Sequence, residues 1–138
     1  MERPRVRATV AAPLHMRSYW VEEFHFVSAR EALPTEPVVN VRMSKPTVEV
    51  QADDSNHYLV RLRVKVATAN QTIDATLAGL FELVGDTQPE NGPSSWVQYN
   101  APSILYGLLR GLTAALTGAS DTGRVDLPSI NMAALIES

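Results

Sequence analysis

The run Tyr58 to Val66, YLVRLRVKV, alternates without interruption: Tyr58, Val60, Leu62, Val64 and Val66 fall on one side, Leu59, Arg61, Arg63 and Lys65 on the other. A period of two is the side-chain period of a β-strand, so this stretch predicts a strand with one buried face and one basic face. After the turn-forming Ala69-Asn70-Gln71, the period resumes with Ile73, Ala75, Leu77, Gly79, Phe81 and Leu83, with Asp74 and Glu82 opposite. Together the two runs predict an antiparallel hairpin whose outer acids can face its outer bases.

Two further strands are expected before this hairpin. HMRSYWVEEFHFVSAR is aromatic and β-branched, but the successive Tyr19, Trp20 and Val21 break simple alternation, which suggests a strand covered on both faces. Val39, Val41 and Met43 alternate between Pro34 and Pro46, and TVEV continues after Pro46, which confines that strand to an edge, an end or a bulge. Asp86 to Ser95, DTQPENGPSS, reads as a loop.

One long helix follows, Tyr99 to Gly118, beginning near Pro102. At 100° per residue, Ile104, Leu105, Leu108, Leu109, Leu112 and Leu116 share one side, which is expected to cover the sheet. Gly107, Gly111, Ala114, Ala115 and Gly118 form a second, small-residue stripe. Tyr106, Arg110, Thr113 and Thr117 make the polar strip. The non-polar arc is wider than a surface helix normally buries, so the small stripe predicts a close-approaching second copy and hence a homo-oligomer. INMAALIES adds a short terminal helix. The order is that of an α+β protein: a four-stranded antiparallel sheet with one long and one short C-terminal helix on one face. Residues 1–13, with Arg3, Arg5 and Arg7, are expected to be a flexible arm before a single domain, 14–138.

Composition excludes several roles. A net charge of -3 disfavours binding of a phosphate backbone, so no nucleic acid is expected as partner. The chain has no cysteine, which removes disulfides and thiolate chemistry and fits a cytoplasmic protein. No apolar run is long enough to span a membrane. His15, His25 and His57 are scattered without metal-ligand spacing, Glu22-Glu23 and Asp53-Asp54 point apart as neighbours, and the glycines form no phosphate-binding loop. No catalytic residue, metal or cofactor is therefore assigned, and no enzyme is expected. Trp20, Leu33, Val38, Val39, Val41, Met43 and Ile136 are apolar in exposed-looking places, consistent either with ordinary core or with a peptide-binding groove.

LAGLFELVG (Leu77 to Gly85), YNAPSILYGLLRGL (Tyr99 to Leu112) and VDLPSINMAAL (Val125 to Leu135) lie in the order and spacing of motifs from SecB, the bacterial protein-export chaperone, and the chain resembles that family along most of its length. The resemblance implies a tetramer, a dimer of dimers with the long helices between dimers, which holds unfolded preprotein clients in apolar grooves and passes them to SecA. Val39, Val41 and Met43 occupy the aliphatic positions of the crossover segment near those grooves. Glu23 and Asp74 match acidic positions that dock SecA, whereas Val27 stands where another acid is usual. The crossover Val27 to Glu36 is shorter than the family's, Ser129 replaces a proline, Met132 replaces a phenylalanine, and the chain stops at Ser138 before the family's polar tail. Holding of clients without ATP is thus the leading expectation. A dedicated chaperone of one partner, such as an antitoxin, is the alternative.

Overall fold

A computed structural model of the chain describes residues 13–28, 39–51, 54–84 and 95–137. The expectations for the arm, for Leu33 and Val38, and for most of the Asp86 to Ser95 loop lie outside these residues. The elements are β1 (Leu14–Ser28), β2 (Asn40–Met43), β3 (Thr47–Gln51), β4 (Asp54–Ala67), β5 (Gln71–Leu83), a π-helical turn (Trp96–Asn100), α1 (Ala101–Thr117) and α2 (Met132–Glu137). The sheet is antiparallel in the order β1-β5-β4-β2, with β3 also on β4.

The hairpin has the expected register. Leu62 opposes Leu77, Val64 opposes Ala75 and Val66 opposes Ile73, all on the core side, and each is buried. Burial of each such aliphatic side chain is worth about 1.5–3 kcal/mol. Gly79 opposes Val60 beside Phe81. A Cβ at Gly79 would sit 2.7 Å from Phe81 Cε2 and 3.0 Å from Leu105 Cδ2, so the missing side chain is what lets the helix settle onto the sheet.

Five strands replace the expected four because Pro46 breaks one of them. Val41 pairs with Val66 and Met43 with Val64; after Ser44-Lys45-Pro46 the pairing on the same strand resumes with Val48 opposite Val60. Proline has no N–H for the ladder, so the break falls there and the sheet stays four strands wide.

The helix is rotated from the expected orientation. Ala101, Pro102, Leu105, Tyr106, Leu109, Thr113 and Thr117 are its buried residues, whereas Ile104 and Leu116 are exposed and Leu108 and Leu112 are half-buried. The reason lies in the segment after the helix, which returns along the strip that the sequence marks as polar. Val125 and Leu127 are buried there. Tyr106 donates its hydroxyl to the Pro128 carbonyl, Arg110 Nε donates to the Leu127 carbonyl at 3.1 Å, and Thr117 Oγ1 accepts the Val125 N–H at 2.8 Å. Tyr106 and Thr117 are buried with these hydrogen bonds made, as buried polar groups usually are, whereas the Thr113 hydroxyl is buried without a partner among the described residues. At the opposite end of this segment Met132 enters the core.

Candidate polypeptide-binding surface

The helix lies mainly over β4 and β5; at β1 it leaves the middle of the strand exposed, while Leu14 is buried and Phe24 and Phe26 pack partly on the core. Within the chain, β1 pairs with β5 alone, so one edge of a strand of 15 residues has no partner among the described residues. Two register irregularities, between Met16 and Ser18 and between Val21 and Glu23, insert Arg17 and Glu22 as extra residues. They explain why Tyr19-Trp20-Val21 breaks alternation. Tyr19 and Val21 oppose the core-side Gly79 and Leu77, and Trp20 opposes the outer Ala78. The expectation that both faces of this strand are covered fails for the same reason: a helix centred on β4 and β5 cannot reach the edge. Met16, Tyr19 and Val21 are 36%, 48% and 40% exposed, continuous with Phe24 and Phe26, which pack partly against the core. Apolar side chains next to a free strand edge provide the two elements of strand addition, backbone pairing and side-chain pockets.

The residues proposed from sequence for a groove do not converge. Val39, Val41 and Met43 lie at the opposite edge of the sheet, half-buried against the core, and Ile136 packs against the same core from α2. Trp20 projects from the other face of the sheet. Met16, Tyr19 and Val21, absent from the sequence-derived set, carried one signal: the failed alternation of a bulged strand.

The outer face is a lattice of ion pairs. Arg61 Nε donates to Glu22 Oε1 at 2.8 Å and its Nη1 to Glu49 Oε1 at 3.3 Å. Arg63 holds Asp74 with both Nε and Nη2, at 3.2 and 3.0 Å. That clasp, chiefly its hydrogen bond, holds the Asp74 carboxyl below the usual carboxylate range. Glu82 takes Arg17, with His57 Nε2 at 3.5 Å, and Glu23 lies 4.0 Å from His25 Nε2. Carboxylates Glu22, Glu23, Glu49, Asp74 and Glu82 are thus matched in number by Arg17, Arg42, Arg61, Arg63 and Lys65. Glu23 and Asp74 both lie on this face, beside cations.

On α1, Gly107, Gly111, Ala115 and Gly118 are exposed and Ala114 is half-buried. No atom lies within 4 Å of a Cβ built on Gly107 or Gly111, so the stripe faces open space within the chain. Among the described residues, no three His, Cys, Asp or Glu side chains gather to hold a metal ion, and no helix is long and apolar enough to cross a membrane.

An antiparallel sheet of this order backed by one long and one short helix is the α+β fold of SecB-like chaperones. The similar solved structures include the SecB-like chaperone of Mycobacterium tuberculosis in complex with a ChAD peptide from the HigA1 antitoxin, at a TM-score of 0.66 and 17% identity, covering 88% of this chain and 94% of that one. A protein of unknown function from Streptococcus agalactiae aligns at a TM-score of 0.59 and 15% identity, over 86% of this chain and 99% of that one. No family model and no curated protein matches the sequence.

Proposed function

We propose that this protein is an ATP-independent chaperone that holds extended, non-native polypeptide segments, and that it acts without catalysis in the cytoplasm. One observation carries the proposal: the exposed middle of the core-side face of β1, where Met16, Tyr19 and Val21 stand beside a strand edge without a partner among the described residues. Many shallow apolar contacts plus backbone pairing capture a chain before it aggregates. Packing of the small stripe on α1 against a second copy assembles dimers or tetramers, which multiplies the sites available to one client. The expected clients are unfolded chains, including preproteins held for export. A second reading, service to one dedicated partner such as an antitoxin, is favoured by the peptide bound to the mycobacterial chaperone of the same fold. Delivery to SecA has less support, because Glu23 and Asp74 sit among as many cations as acids and not on an acidic dock.

The experiment follows aggregation of a chemically unfolded client by light scattering, without nucleotide. The protein is expected to suppress scattering, and the double variant Tyr19→Ser, Val21→Ser to lose most of that effect while keeping its circular dichroism. Suppression that needs ATP, or that the double variant retains in full, overturns the reading. Affinity capture from cells separates the two uses: many unrelated chains identify a general holdase, one stoichiometric partner a dedicated one.

A further inference from the structure

Arg42 and Lys65 face one another directly across the β2–β4 ladder on the outer face. Like charges at such a position repel. Among the described residues, neither side chain makes an ion pair or hydrogen bond. The one acid in their cross-strand row, Asp74 opposite Lys65, is already clasped by both arms of Arg63. The row ends at His25, opposite Asp74 on β1. The next row toward the end of the sheet holds Val27, Thr72 and Ala67, small or apolar, with Val27 59% exposed, and ends in the polar Asn40 opposite Ala67. These two rows, together with Val41, Val66 and Ile73, line an open cavity of about 580 Å³.

We propose that this cavity binds an extended acidic peptide segment, one carboxylate of which bridges Arg42 and Lys65 while an aliphatic side chain two residues away rests on Val27, Thr72 and Ala67. Rows along a sheet repeat every second residue, about 6.5–7 Å, and an extended ligand repeats its side chains at the same interval. An acid followed two positions later by an aliphatic residue therefore fits the charged row and the apolar row together. A free inorganic anion would fill only a small part of this volume and would leave Val27 bare. A nucleic acid would meet the carboxylate of Glu23 beside His25 and a chain of net charge -3. The cations of the site stand on the face of the sheet opposite Tyr19 and Val21, so the proposal stands apart from the holdase reading.

The test uses a fluorescein-labelled octapeptide, two repeats of Asp-Ser-Val-Ser, and counterparts with Asn or Lys in place of Asp, followed by fluorescence anisotropy. The acidic peptide is expected to bind in a salt-dependent way. Its affinity should fall about tenfold or more on Asp-to-Asn exchange, and equally in the double variant Arg42→Ala, Lys65→Ala. Thermal unfolding of that variant should be unchanged or raised, because a like-charge pair is relieved, which separates loss of the site from loss of the fold. Equal binding of the Asn peptide, or undiminished binding by the double variant, overturns the proposal. Competition by inorganic phosphate or by a single-stranded oligonucleotide as effective as by unlabelled acidic peptide also overturns it, in favour of a general anion patch.

Discussion

Thr117 donates its hydroxyl to the Thr113 carbonyl at 2.6 Å and accepts the backbone N–H of Val125 at 2.8 Å, so one fully buried oxygen ties the end of α1 to the segment that returns beside it. Replacing Thr117 by the isosteric Val keeps the volume and leaves the Val125 N–H buried without a partner. The expected cost is about 1–3 kcal/mol in urea unfolding, with Thr117→Ser recovering most of it. A Val variant as stable as the parent would mean that the returning segment is held by apolar contact alone.

Gly79→Ala should cost about 1–3 kcal/mol, because the new methyl collides with Phe81 and Leu105, both fully buried. The check is a denaturation midpoint together with the near-ultraviolet dichroism of the aromatic core. An unchanged midpoint would show that the helix has room to lift.

Gly111→Leu addresses a different level of organisation. Open space surrounds Gly111 within the chain, so the fold should tolerate leucine, with an unfolding midpoint close to the parent's. Native mass spectrometry should nonetheless show the assembly reduced to smaller species, since a bulky side chain in a close helix contact costs about 1–3 kcal/mol per site. Retention of the parent mass would remove the small stripe from the interface.

The Arg63–Asp74 clasp sets a pH dependence on the acid side. The carboxyl of Asp74 titrates below its value in the unfolded chain, so the unfolded state takes up its proton first as pH falls. The contribution of the clasp is complete above the ordinary carboxylate range and is lost as pH falls through the depressed native value. Carbon-detected titration of the Asp74 carboxyl should report that lowered value. In Arg63→Gln it should return toward the ordinary one.

The two strands with clean alternation were legible in their period and in which face is buried, because a half-buried strand imprints its period directly on the sequence, although β4 begins at Asp54, before the alternating run, and β5 at Gln71, read as turn. The helix was legible as an element but not in its orientation. Thr113 and Thr117 look like solvent-facing residues, and nothing local announces that Val125 and Leu127 come back to cover them. The candidate surface was hidden for another reason. A bulge shifts the phase of a strand by one residue, so Met16, Tyr19 and Val21 share a face without sharing a period. Clustering of Arg42 and Lys65 was equally invisible, since it depends on which residues of β2 and β4 oppose one another.

The two bulges of β1 also bear on what the exposed edge of that strand can pair with. A long straight edge is a template onto which strands of other chains add without limit, the route to fibres. Here the ladder is cut at Arg17 and Glu22 into the runs Leu14 to Met16, Ser18 to Val21 and Glu23 to Ser28, each in its own register with β5. A charged residue stands at each cut. No single flat strand can follow all three runs in register, so pairing along this edge is limited to short stretches, which works against growth of a polymer.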